Sequence, residues 1–169
     1  MKALTIRLPF ASLVALGYKP IENRSQPTKF RGRLAIHAGL QLAPPGLRNG
    51  VDRLANMGHC PRLNATELPT GVILGTVELV DVVQGLDSVW ALPEMPWQWI
   101  LANPVQFDVP VPATGRLGIW EWDESCGLCG HPVRRHKGYC VQRFRDSSEG
   151  CLDCKELQLV PCPARFPKS

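Results

Sequence analysis

Residues 9–39 read PFASLVALGYKPIENRSQPTKFRGRLAIHAG, and they are the most informative stretch of the chain. The apolar run from Phe10 to Leu16 predicts a short helix, and Gly17 fits the left-handed residue that ends one. Residues 21–25 and 33–38 then alternate apolar and polar side chains, which predicts two strands. The stretch therefore predicts a short helix that is followed by sheet.

Charged side chains in this stretch lie beside apolar segments. Alternation places Glu22 and Arg24 on one face of the first strand, Lys19 lies just before them, and His37 lies on the second strand. An acid among basic residues and a histidine can bind a polar ligand, carry out proton chemistry or form a structural ion-pair network. The residues are compatible with all three interpretations.

Further short strands are predicted along the chain. They cover Ala3–Leu8, 71–83, 97–101 and 118–122, and the segment 71–83 is the strongest because of its β-branched residues. Three prolines punctuate the stretch between the last two strands. One more helix is expected around 50–57. The prediction is an α+β fold, a small, mostly antiparallel β-barrel with short helices, since closure removes exposed sheet edges.

The composition is that of a globular protein, and the distribution of charge favours binding of a polyanion. The 169 residues are 44% hydrophobic and 20% charged. Residues 1–50 contain eight Lys/Arg and one acid, whereas residues 51–123 contain three Lys/Arg and nine acids. If the basic excess folds onto one face, that face attracts nucleic acid, and the alternative is neutralisation by the acidic segment. No apolar run approaches the length of a membrane helix, so no membrane partner is expected.

Seven cysteines are present, and four of them form two CxxC pairs. Two such turns can bring four thiolates to one tetrahedral metal site, which predicts structural Zn²⁺ in a reducing, cytoplasmic compartment. Redox or iron–sulfur chemistry is the alternative, and Cys140, His131 or His136 could replace one ligand. The predicted ligands are Cys126, Cys129, Cys151 and Cys154.

After residue 122 the cysteines cluster and long apolar runs are absent, which predicts a domain boundary near Asp123. Residues 1–123 would form the main domain, and residues 124–169 a small zinc-ribbon-like extension that the metal stabilises. Its loop carries Arg134, Arg135 and Lys137, which could contact phosphates or form a solvated hairpin tip.

Residues 1–122 resemble the ASCH domain (activating signal cointegrator homology), a branch of the PUA-like superfamily. Residues 9–13 look like the helix opening of that family, and residues 17–25 fit its G-x-K-x-x-E-x-R pattern. Residues 31–38 are similar to the strand that follows, and residues 75–81 to the next long strand. The late segment, with its prolines, is similar as far as residue 120.

The resemblance implies a PUA-like β-barrel with a cleft, in a superfamily that mostly binds RNA. It also implies a candidate enzyme, because some small ASCH-like proteins resemble amidohydrolases that act on N4-acetylcytidine with a Lys, a Thr and a Glu, and others are credited with ribonuclease activity. Lys19 and Arg24 match the motif positions. The threonine position of the amidohydrolases holds Glu22 here, with Ser25 close by.

The leading hypothesis is a binding module that holds one nucleotide of RNA or of another single strand, modified or not, in a charged cleft. A hydrolase acting on RNA or a modified nucleoside, with Lys19 and Glu22 as catalytic residues, is the first alternative. A protein-interaction adaptor that docks through the zinc extension is the second. The residues predicted to bind nucleic acid are Ser12, Lys19, Glu22, Arg24, Ser25, Arg31, Arg33, His37, Trp97, Arg134, Arg135 and Lys137.

Overall fold

A computed structural model describes residues 1–123 together with the segments 139–141 and 159–161. The helices and strands along these residues are β1 (Lys2–Leu8), α1 (Phe10–Ala15), β2 (Ile21–Arg24), β3 (Gly32–Leu42), α2 (Pro45–Asn56), β4 (Val72–Gln84), β5 (Trp97–Pro112), β6 (Ile119–Glu121), β7 (Tyr139–Val141) and β8 (Leu159–Pro161). The helix, strand and turn expected within residues 9–39 are confirmed. Gly17 has a φ of 84°, the left-handed conformation that ends α1.

Six strands form one sheet in the order β2-β5-β4-β3-β1-β6. The pair β1 and β3 is parallel, and the other neighbours are antiparallel. The α+β class is therefore confirmed as a mixed sheet with short helices. Within residues 1–123 no ladder joins the end strands β2 and β6, so the closed barrel that the sequence predicts is not shown.

The long strand β5 differs from the expected short segments. It runs from Trp97 to Pro112 and passes through all three prolines. Its pairing with β4 shifts between Thr76 and Glu78, opposite Pro104, and again between Ile73 and Gly75, opposite Pro110. Proline lacks the N–H that a regular ladder needs, and a bulge removes that need. Pro104 and Pro110 therefore mark irregularities inside the strand, whereas Pro112 is its last residue.

Apolar side chains cover both faces of the sheet. The larger cluster contains Leu4, Ile36 and Leu79 together with α1, and a second cluster contains Ile73, Phe107 and Trp120. A third cluster is formed by buried Leu13, Ile21, Val51, Cys60 and Trp90. This third cluster joins α1, β2 and α2 to the loop before β5, and it sets the walls of the cleft described below.

The predicted zinc ligands, the basic residues Arg134, Arg135 and Lys137, and most of the segment 124–169 lie outside the described residues. Strands β7 and β8 pair with each other antiparallel. No group of three or more His, Cys, Asp or Glu side chains in the described part of the chain could hold a metal ion. In that same part no helix has the length and apolar character needed to cross a bilayer.

Candidate functional site

A cleft of about 1350 Å³ lies beside β2. Its walls come from β1, β2, the end of β3, α2 and two loops, residues 85–96 before β5 and residues 113–118 after it. We call these the 85–96 loop and the 113–118 loop. Both ends of the quoted stretch 9–39 therefore face one space, which the spacing of its charges along the chain did not reveal.

Basic side chains outnumber acidic ones around this cleft. Among the described lining residues the only acid is Glu22, and the basic residues are Arg7, Lys19, Arg24, Arg53 and Arg116. Arg7, Arg53 and Arg116 are exposed. A concave surface with this excess of positive charge raises the local concentration of anions.

Glu22 lies between two cations. Its Oε2 accepts a hydrogen bond from Lys19 Nζ at 2.9 Å, and its Oε1 lies 3.4 Å from Arg24 Nη2. Lys19 is 3% exposed and also donates to the carbonyl of Ile21. Taking these charges out of water is costly, and their mutual pairing offsets the cost. The three residues form a network that we call the β2 ion-pair network.

Arg24 is held by more than its carboxylate partner. Its Nη2 donates to the backbone oxygen of Thr5 at 3.1 Å, and its guanidinium lies 5.5 Å from the centre of the Trp99 ring. Its Nε is buried and has no hydrogen-bond partner among the described residues. The contact with Trp99 is a cation–π interaction, which orients the planar group.

His37 is 2% exposed and lies under the 113–118 loop. Its Nε2 donates to the carbonyl of Ala113 at 3.0 Å, while its Nδ1 has no partner among the described residues. Burial holds the pKa of this imidazole below its ordinary value, and the bond to Ala113 opposes that effect only in part. The ring is therefore a neutral wall group at neutral pH.

Gly115 closes over the His37 ring. A Cβ at residue 115 would lie 2.3 Å from His37 Cε1 and 2.5 Å from Nδ1, so no side chain fits there. Thr5 holds the same loop, because its Oγ1 donates to the carbonyl of Arg116 at 2.9 Å and accepts from Trp120 Nε1 at 3.1 Å. His37 thus supports the 113–118 loop, and the nucleic-acid-binding role predicted for it from the sequence stays a prediction.

The structure brings five of the predicted residues to the cleft, namely Lys19, Glu22, Arg24, Ser25 and His37. Four others do not line it. Ser12 is buried within α1, and Trp97 packs against the larger core cluster. Arg31 pairs with Asp81 at 3.1 Å, and Arg33 donates to Thr76 at 2.7 Å. These two arginines face partners on β4 because β3 pairs with β4.

Asn23 is a cleft residue that sequence reasoning missed. Its Nδ2 donates to the carbonyl of Trp90 at 2.8 Å, and its Oδ1 accepts from the backbone N–H of Leu92 at 3.1 Å. Alternation along β2 did indicate that Asn23 faces away from Glu22 and Arg24. Nothing in the sequence indicated which loop it would meet, since the partners lie almost 70 residues away.

Comparison with known proteins decides the family. Residues 4–111 match the sequence profile of the ASCH domain. The chain belongs to the ASCH domain family. This confirms the resemblance carried by residues 1–122, and the β2 ion-pair network of this ASCH chain is formed by the residues of its G-x-K-x-x-E-x-R pattern.

Two curated relatives of this ASCH chain carry one name. Activating signal cointegrator 1 of Homo sapiens is 31% identical over 132 residues, which cover 72% of this chain and 22% of that protein. The Mus musculus protein of the same name is 29% identical over 135 residues, with the same two shares. The chain therefore spans about a fifth of the length of the curated relatives it matches.

A solved structure of an ASCH protein from Zymomonas mobilis is also similar. Its TM-score to this chain is 0.40 at 14% identity, and the match covers 66% of this chain and 74% of that one.

Proposed function

We propose that the cleft binds single-stranded nucleic acid, RNA in the first place, and holds one unstacked nucleotide, plain or modified. The observation that carries the proposal is the charge of the cleft, five basic residues and one acid among its described lining residues. Phosphates supply the negative charge that such a surface attracts. The cleft would be the main contact site on the molecule.

The residues of the β2 ion-pair network would have different roles in binding. Lys19 is buried and engaged with Glu22, so it balances that carboxylate. Arg24 is 27% exposed, and its partly exposed guanidinium can meet a phosphate beside the network. The exposed Arg7, Arg53 and Arg116 would then contact flanking phosphates. This arrangement favours a strand that crosses the cleft over a free nucleoside.

Apolar residues line the same cleft, which suits bases better than a phosphate alone. Leu40, Met57, Val89, Met95 and Leu117 are exposed large hydrophobic residues, and all of them line it. Bases that are paired in a duplex cannot reach such a surface, whereas the bases of a single strand can be splayed out. The expectation of a single-stranded partner rests on this combination.

A salt titration tests the proposal. Binding of a fluorescently labelled, mixed-sequence RNA single strand is measured by anisotropy from low to high salt, with a duplex of equal length beside it. We expect log affinity to fall linearly with log salt, by about 0.7 per phosphate contacted, and the duplex to bind more weakly. Affinity that does not depend on salt, or no binding to any strand, would refute the proposal.

A hydrolase is the second candidate, favoured by the 2.9 Å contact between Lys19 Nζ and Glu22 Oε2 at the cleft wall. Lys19 and Glu22 would act as a coupled base and acid toward RNA or an acylated nucleoside such as N4-acetylcytidine. Incubation with both substrates tests this candidate. Product that still forms with Lys19→Met and with Glu22→Gln would rule this site out.

The cysteine-rich segment carries a separate proposal. Cys126, Cys129, Cys151 and Cys154 would bind structural Zn²⁺, and the extension would touch the flanking strand or a protein partner. Metal analysis of the purified chain tests this, since one equivalent of zinc with four protected thiols is expected. Four freely titratable thiols without zinc would contradict it.

A further inference from the structure

The 85–96 loop forms one wall of the cleft and is attached to the sheet at four points. It brings Val89, Trp90, Leu92 and Met95 to the cleft lining. Val89 is 54% exposed and Met95 is 37% exposed, whereas Trp90 is buried in the third apolar cluster. The loop thus presents exposed apolar side chains to solvent, while Trp90 anchors it in the interior of the molecule.

Two side-chain amides hold the backbone of this loop. Asn23 bonds to Trp90 and Leu92, as described above. Gln98 repeats the arrangement, because its Nε2 donates to the carbonyl of Met95 at 2.8 Å and its Oε1 accepts from the N–H of Leu86 at 3.3 Å. Each amide uses both its donor and its acceptor on the same loop.

Asn23 and Gln98 lie directly opposite each other on β2 and β5. Side chains that are opposite in an antiparallel pair share a face, so both amides project toward the loop from one place in the sheet. We call this pair the amide clamp. Gln98 is 3% exposed, so its bonds to the loop are shielded from competing water.

Strand β2 therefore organises both halves of the cleft. Glu22 and Arg24 contact Lys19 and Thr5, while Asn23 between them contacts the apolar wall. A ligand with a charged part and a flat apolar part, at a spacing set by one strand, fits this arrangement. A nucleotide has that chemistry, with a phosphate for the cations and a base for the wall.

We infer that the 85–96 loop is the base-binding wall of the cleft and that Asn23 and Gln98 are the positioning residues that keep it ready for the base. This inference rests on the proposed function and extends it to the base moiety. A wall that is already ordered avoids the cost of ordering it when the ligand binds. The amide clamp should therefore affect recognition of the base and leave recognition of the backbone unchanged.

The experiment compares two single strands of equal length and charge, an RNA with its bases and an abasic strand that has only the backbone. Anisotropy titrations use the whole chain and the variants Asn23→Leu and Gln98→Met, which are close in shape but cannot make the amide bonds. We expect the strand with bases to bind about tenfold more weakly to either variant, since several loop side chains must then be ordered. Affinity for the abasic strand should stay within about twofold.

Direct changes to the wall test the same inference without relying on the folding of the clamp variants. Val89→Ser removes an exposed wall side chain, and Val80→Ser is its matched control, because Val80 is 46% exposed and does not line the cleft. Val89→Ser should weaken only the strand with bases, and Val80→Ser neither strand.

Equal weakening of both strands by the clamp and wall variants, or no weakening of either, would overturn the inference while the proposed function stands. Failure of the unaltered chain to bind either strand would instead refute the proposed function itself, and the inference with it.

Discussion

The β2 ion-pair network and the His37 region both place buried polar groups at the same cleft, but they solve the problem of burial differently. In the network, three charged groups compensate one another over distances of 2.9 and 3.4 Å. His37 instead stays neutral, with one ring nitrogen bonded to a carbonyl and the other closed under Gly115. Charge compensation keeps ions at the cleft, whereas the buried His37 ring holds the 113–118 loop through a hydrogen bond to Ala113.

The largest expected effect follows from breaking the network at its acid. Glu22→Gln leaves the Lys19 ammonium buried without a counter-charge, so the free energy of unfolding should fall by about 3–5 kcal/mol, as for other broken buried pairs. Urea unfolding monitored by tryptophan fluorescence measures it. Glu121→Gln is the matched control, because Glu121 pairs with Lys2 on an exposed surface and should leave stability close to that of the unaltered chain.

A second variant shows whether charge is the cause. Lys19→Met removes the ammonium as well, so the double variant with Glu22→Gln should recover much of the stability that the single change loses. Full stability of Glu22→Gln alone would show that Lys19 is not dependent on its carboxylate partner.

The next effect tests the covering of His37. Gly115→Ala places a methyl group within 2.3 Å of the His37 ring, so the 113–118 loop must shift, at a cost of about 1–3 kcal/mol. Gly50→Ala in α2 is the matched control, since only the end of Arg53 lies within 4 Å of the new Cβ. It should be neutral or stabilise by about 0.5–1 kcal/mol, because alanine favours a helix interior. Equal effects would contradict the close contact at residue 115.

A smaller effect concerns pH. Burial holds the pKa of His37 in the folded chain below the ordinary histidine value of about 6.5. As the pH falls through that ordinary value, the unfolded chain therefore binds a proton that the folded chain does not bind. Stability should therefore be complete above that value and decrease as pH falls below it. Urea midpoints between pH 7.5 and 5.5 measure this trend.

Two histidine variants assign the trend. His37→Gln should flatten the dependence on pH, and His59→Gln, at an exposed position, should keep it. A slope that survives His37→Gln would place the responsible group elsewhere.

The same contrast explains what the sequence could predict. Lys19, Glu22 and Arg24 lie within six residues, so local alternation and a short turn were enough to group them. His37 meets Ala113 across 76 positions, and Asn23 meets Trp90 across 67, so their roles depend on strand order. The sheet order places β2 next to β5 and β3 next to β1, and no local pattern specifies that.

Arginines and prolines show the same limit. Arg31 and Arg33 belong to the basic N-terminal segment, yet the pairing of β3 with β4 brings Arg33, and Arg31 just before β3, to Thr76 and Asp81 on β4. The prolines correctly indicated irregular backbone and the end of β5 at Pro112, but Pro104 and Pro110 lie inside the strand, because bulges remove the need for their missing donors. Residue chemistry was predictable in both cases, and the partner was not.

One comparison tests the central claim that the cleft beside β2 binds the strand. RNA affinity is measured for Arg24→Gln and for Arg31→Gln, which remove the same charge, one at the cleft and one paired with Asp81 away from it. Arg24→Lys and a urea unfolding curve for each variant control for lost charge and lost stability. We predict about tenfold weaker binding for Arg24→Gln and less than about twofold for Arg31→Gln. Equal loss in the two glutamine variants, or none in Arg24→Gln, would contradict the account.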